Sequence, residues 1–340
     1  MSGFADRAAW SATGSSLYNL KLYWPARRAP DRARELTPGI HMHATILATF
    51  FGISMTVVSM CCAGIVLFFV ALWAAKADIS RAAGLDKIVA LSNLCFAIPL
   101  AVFGALHLAG VELVISLVPS YMPWRLFWGY FVGFALLSAA LSIATRTQVR
   151  WSGLLFGIMM FLFVALLYLP SALTHLGSRL AWTFVIRESS FASGGWILAG
   201  NAMPGQRGRK LITVGRLFIA LAALFFGVVH FLHPAGCPGV PLQKLTPVWI
   251  PGRVLIGYLT GAILIVAGTC ILLAKNTRMA ATYLGTWIVL LVLFIYGPIL
   301  IVQMSDPSTA IKVEGINYFA DTLLFAGAIL ALASATPRTD

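Results

Sequence analysis

The chain has 340 residues, of which 60% are hydrophobic and 10% charged, with a mean hydropathy of +0.89. A water-soluble domain of this size cannot cover its surface with so little polar material, and the apolar runs are continuous rather than alternating, which excludes a membrane β-barrel. The net charge of +13 fits basic loops held on one side of a membrane and contact with anionic lipid, and no zinc-finger spacing or basic–aromatic platform supports a nucleic-acid partner.

Residues 1–45 read as a polar, basic arm with six Arg and Lys against three acids. Trp24-Pro25 and Pro30 argue against one long helix there, and no apolar core with a small-residue cleavage site marks a signal peptide. A first span is expected over about 46–73, within a segment 46–87 that ends in a basic loop carrying Lys76, Arg81 and Lys87.

The segment 88–203 follows as a first repeat, with spans near 88–110, 126–145 and 151–173 and a short, glycine-containing fourth element near 189–203. The segment 204–340 repeats it, with spans near 211–232, 253–274, 279–303 and 316–336. The repeat is visible in the letters. Gly104-Ala-Leu-His107 returns as Gly227-Val-Val-His230, and from Pro119 to Pro170 the matched residues return 128 positions later without a gap. Pro119/Pro247, Pro123/Pro251, Arg125/Arg253, Tyr130/Tyr258, Arg150/Arg278 and Pro170/Pro298 carry that register.

The expected fold is therefore all-α: a polytopic membrane protein of about nine helices, with two parallel four-helix bundles and an extra N-terminal helix. An even number of helices per copy makes the copies parallel, related by an axis along the membrane normal. Arg146/Arg150, Arg207/Arg209/Lys210 and Lys275/Arg278 fall on one side with Arg81 and Lys87, and the opposite loops are charge-poor. Nine crossings then put the basic arm on the side away from these loops, against the positive-inside rule.

The residues able to carry chemistry are few. His107 and His230 sit near the outer ends of matched helices, and imidazole can donate, accept or ligate near neutral pH. They can tie helix ends together, contact a quinone headgroup, or, least expected, ligate haem. Tyr130 and Tyr258 lie in the following spans and are candidate hydrogen-bond partners for His107 and His230. Trp249 in the loop Pro247–Pro251, and Arg253 just after it, can line a shallow pocket or face lipid headgroups; Tyr121 and Arg125 are their counterparts. Asp321 is the one carboxylate well inside an apolar span, where it needs a partner, with Arg216 a candidate, or a proton. Its counterpart in the first repeat is read as Gly194, and Glu188 and Glu314 read as interface anchors. His41-Met-His43 is too small a set to make a metal site alone. Of five cysteines only Cys237 lies in a loop, so no CxxC redox pair exists, and no nucleotide-binding or hydrolase motif appears.

Gly227–His230, Pro247 to Pro251, Gly257-Tyr-Leu-Thr-Gly261, Thr277-Arg278-Met-Ala-Ala281 and Asp321 to Gly327 together resemble the DoxX family of four-helix membrane proteins. Residues 211–336 resemble it best, 88–203 look like a degraded copy, and the first 87 residues lie outside the resemblance. The resemblance implies an integral subunit of a respiratory or other redox complex in a bacterial cytoplasmic membrane, with lipids and partner subunits around it. No cofactor is built in, and a bound quinone is the expected ligand. His230, Asp321 and Tyr258 would handle protons, and His107, Tyr130, Trp249 and Arg253 would hold the headgroup. Any catalysis would be quinone-linked and shared with a partner. A non-catalytic scaffold subunit and a small-molecule or lipid transporter are the alternatives.

Overall fold

A computed structural model describes residues 54–119, 121–240 and 243–337. Among these residues nine long helices form one bundle: α1 (Met55–Arg81), α2 (Asp86–Ala109), α3 (Arg125–Ala144), α4 (Val149–Thr174), α5 (Arg179–Asn201), α6 (Gly205–Leu232), α7 (Arg253–Leu272), α8 (Thr277–Met304) and α9 (Thr309–Ala335). All except α5 are long and apolar enough to cross a membrane. At 23 residues α5 spans about 35 Å, so its length suffices as well. What sets it apart is Arg187, Glu188, Ser189, Ser190 and Ser193, all buried against other helices. The protein is an all-α, multi-pass membrane protein.

Two expected boundaries move. The first helix begins at Met55, where the Ser54 side chain accepts a hydrogen bond from the Thr56 N–H, and it continues through Lys76 and Asp78 to Arg81. The expected start near 46 lies outside the described residues. The short element near 189–203 is instead the full helix α5, opened by Ser178, whose hydroxyl accepts from the Ala181 N–H. Its polar residues hid it, because Arg187, Glu188, Ser189, Ser190 and Ser193 interrupt the apolar run by which a span is read.

Backbone features recur 128 residues apart. The helices α3 and α7 share their limits at this spacing, and both α4 and α8 contain one π-helical turn, at Val164–Tyr168 and Val292–Tyr296. The cause is Pro170 and Pro298: each lacks an N–H and crowds the carbonyl four residues back, and the wider turn absorbs the misfit. Left-handed residues precede matched helices at Trp124 and Gly252 (φ 52° and 67°) and at Gln148 and Asn276 (φ 55° and 51°). Arg125 Nε donates to the Val118 carbonyl and Arg253 Nη1 to Thr246, again 128 apart.

Packing crosses between the two halves. The helix α5 packs on α4 and also on α6, while α9 packs on α8 and also on α2. Glycines set the contacts. A Cβ on Gly157 of α4 would lie 2.4 Å from Trp196 of α5, and one on Gly285 of α8 would lie 2.6 Å from Leu330 of α9. Trp196 and Leu330 are 134 residues apart, so α5 and α9 correspond at that spacing. Under it Gly194 corresponds to Ala328, which it touches, and Arg187 corresponds to Asp321. The expected match of Asp321 with Gly194 is thus shifted by two helical turns: both links are four residues long (175–178 and 305–308), and the extra residues between Pro298 and Asp321, relative to those between Pro170 and Arg187, lengthen the end of α8 and the start of α9.

Candidate functional site: a charged centre between α5 and α9

Arg187 and Asp321 occupy corresponding places on α5 and α9, and they bind each other. Arg187 Nη1 donates to Asp321 Oδ2 at 2.7 Å. The same guanidinium gives Nη2 and Nε to Glu188 Oε1 at 2.6 and 3.0 Å. The side chains are 10%, 15% and 6% exposed for Arg187, Asp321 and Glu188. The guanidinium also lies over the rings of Phe184 and Phe191, with 4.9 and 5.8 Å to their centroids. Arginine suits this place: its planar fork serves two carboxylates while its faces stack on aromatic rings.

Asp321 is the thirteenth residue of the 27-residue α9, about 18 Å from its start, which places the centre near mid-depth. Two carboxylates face one guanidinium, so the centre holds one negative charge in excess. In a weakly polarisable interior that excess is costly unless a proton or a small cation neutralises it. The π-turn tyrosines Tyr168 and Tyr296, 128 residues apart, and Tyr318 on α9 are electrostatic neighbours of Asp321.

Arg216 is not the partner of Asp321. Its guanidinium donates to the carbonyls of Ile271 and Leu272 at the end of α7, satisfying groups that a helix end leaves open. Glu188 and Glu314 are not lone interface anchors either. Glu188 belongs to the centre, and Glu314 pairs with Lys244 Nζ at 3.1 Å, with the ammonium also over the Tyr318 ring.

His230 is 1% exposed, and both ring nitrogens have partners. Nδ1–H donates to the Phe226 carbonyl at 2.6 Å, and Nε2 accepts from the Gly239 N–H at 3.0 Å. This pattern fixes the neutral tautomer. Gly239 has φ 104°, a conformation open to glycine, which turns the loop 233–252 back over the bundle. Tyr296 Oη donates to the Pro238 carbonyl beside it at 2.7 Å, and Cys237 is buried in the same loop, its thiol pushed up to about 12 by burial. His230 is thus the post on which this loop hangs. His107 Nδ1 makes the matching bond to Phe103 at 2.8 Å.

The expected His–Tyr links are not formed. Among the described residues no hydrogen bond joins His107 to Tyr130 or His230 to Tyr258. Both tyrosines are exposed on the outer faces of α3 and α7, and the Tyr258 ring packs 5.9 Å from Phe231. Trp249 is exposed at the loop surface, and Arg253 is spent on the Thr246 carbonyl. Asp321 therefore lies in the centre with Arg187 and Glu188, while His230, Tyr258, His107, Tyr130, Trp249 and Arg253 lie outside it. Arg187 and Glu188 could have been found by one signal: a charged pair inside a segment bounded by Ser178 and Asn201 with helical length.

No group of three or more His, Cys, Asp or Glu side chains able to hold a metal ion occurs among the described residues. Compared with protein-family models, curated proteins and solved structures, the chain matches none.

Proposed function

We propose that the protein is the proton-handling membrane subunit of a redox complex, built from a duplicated four-helix unit, and that Arg187, Glu188 and Asp321 are its working centre. The observation that carries this reading is the unbalanced centre itself: two carboxylates and one arginine at mid-depth. Ionisable groups inside a membrane are expensive, and their usual reason is to pass protons or ions. Asp321 is the group placed to accept and release the proton, since it meets the guanidinium through one oxygen while Glu188 receives two of its donors. The resemblance to the DoxX family supports placing this chemistry beside membrane electron transfer. A quinone is the mobile partner this reading implies. It would approach among the exposed Tyr130, Tyr258 and Trp249, and His230 would hold the loop near it.

A second reading, transport of a small molecule, draws on one observation: the centre lies between the two halves, where alternating access would expose it.

The test is infrared difference spectroscopy of the purified protein in lipid nanodiscs as pH is stepped. A carboxylic-acid C=O band that titrates in the wild type and vanishes in Asp321→Asn is expected. A band unaltered by Asp321→Asn, or none at all, would overturn the assignment.

A further inference from the structure

On the side of the charged centre that faces the proline-rich loops, the interior contains polar atoms that no described residue satisfies. Thr183 Oγ1, Asn317 Oδ1 and both amide atoms of Gln303 are buried without a hydrogen-bond partner. Thr183 is wholly buried and Gln303 is 1% exposed. The positions are ordered. Thr183 lies four residues before Arg187 on α5, and Asn317 four residues before Asp321 on α9, so each shares a helix face with a member of the centre, about 6 Å away along the axis. Thr183 and Asn317 also correspond under the 134-residue spacing. Gln303, at the end of α8, packs on Gly315, where a Cβ would lie 2.7 Å from its Oε1; this is half a turn further out than Asn317.

The opposite side is more apolar. Beyond Asp321, α9 presents Leu323 to Ala333, all buried and apolar or glycine. On α5 the hydroxyls of Ser190 and Ser193 are spent internally, on the carbonyls of Arg187 and Ser190. Thr286 Oγ1, the remaining buried side-chain atom without a partner among the described residues, lies on α8 on this opposite side, next to Gly285, whose Cβ would meet Leu330.

We infer that a file of water molecules runs from the proline-loop face past Gln303, Asn317 and Thr183 to Asp321, and that protons reach the centre along it. Buried polar groups without protein partners are the normal seats of internal water, and an amide oxygen, an amide nitrogen and a hydroxyl supply both acceptors and donors to such a file. The proton exchanged with water settles on Asp321, which faces Arg187 and Glu188 from α5, Tyr168 from α4, Tyr296 from α8 and Tyr318 from its own helix. This inference rests on the proposed proton-handling role of Asp321.

The experiment follows the Asp321 infrared band after a rapid pH jump in nanodiscs. In Thr183→Val/Asn317→Leu, and separately in Gln303→Leu, the band should keep its final amplitude while its rise slows at least tenfold. Ser193→Ala, on the opposite side with its hydroxyl bonded to the Ser190 carbonyl, should leave the rate unchanged. Retained amplitude shows that each variant is folded around an intact centre. An unchanged rate in both outer variants, or equal slowing by Ser193→Ala, overturns the inference and leaves the role of Asp321 standing. A wild-type protein without the band overturns both.

Discussion

Replacing Arg187 with methionine removes the only cation from a site that keeps two carboxylates. The wild-type guanidinium makes three hydrogen bonds to Glu188 and Asp321 and stacks on two phenylalanines. Removing one partner of a buried pair costs about 3–5 kcal/mol, because the remaining charges stay buried without compensation. The lost cation–π contacts add about 0.5–1 kcal/mol each. Protonation of Asp321 and Glu188 relieves part of this, so the net loss should be about 3–5 kcal/mol at neutral pH and smaller in acid, where both carboxyls are neutral. Unfolding of the purified protein by sodium dodecyl sulfate in mixed micelles, followed by helical ellipticity, measures it. The triple variant Arg187→Met/Glu188→Met/Asp321→Leu carries no charge at the centre and should recover most of the stability, since apolar replacements of a whole buried ion cluster are often neutral or stabilising. An Arg187→Met protein within about 0.5 kcal/mol of wild type would refute the reasoning, for the pair would then be solvated and the centre open to water on all sides.

Gly257→Ala should destabilise by about 1–3 kcal/mol or more, because its Cβ would lie 2.1 Å from the Pro234 carbonyl oxygen, whereas Gly129→Ala at the corresponding place meets only a Val111 methyl at 2.9 Å and should cost clearly less in the same assay. His230→Ala strands the buried Gly239 N–H, at about 1–3 kcal/mol, and should expose the loop 233–252 to limited proteolysis; His107→Ala, losing one bond to a helix carbonyl, should not expose its own loop. Cys237, with its thiol raised to about 12, is about one part in ten thousand thiolate at pH 8, so maleimide should label it only on unfolding. The same shift means that the unfolded thiol loses its proton near pH 9 while the folded one keeps it, so this cysteine's contribution to stability declines as pH rises above about 9; Cys237→Ser should flatten that alkaline decline.

The helices that face lipid were legible because their signal is intrinsic: about twenty apolar residues in a row have few other places to go. Matched prolines at 170 and 298, and matched loop boundaries, made the 128-residue recurrence readable in the letters, since each letter there fixes backbone geometry. The helix α5 was truncated for the opposite reason. Arg187, Glu188 and three serines interrupt its apolar run, whereas α9, also largely buried by protein, runs apolar from Leu323 to Ala333.

The candidate site divides in the same way. Asp321 stands out in the sequence because a carboxylate among apolar residues needs an explanation, whatever the fold. Its partner does not stand out: Arg187 is 134 residues away, and Arg216 was an equally acceptable choice until the packing of α5 on α9 placed one guanidinium at 2.7 Å and sent the other to the end of α7. His230 illustrates the converse, a residue type rich in chemistry that a single glycine turn at Gly239 converts into a structural post. Composition and periodicity thus determined that this chain spans a membrane and repeats itself. Which charges meet at its centre was decided only by tertiary structure, because pairing depends on the register between two helices, and glycine contacts and the helix extensions at the end of α8 and the start of α9 set that register.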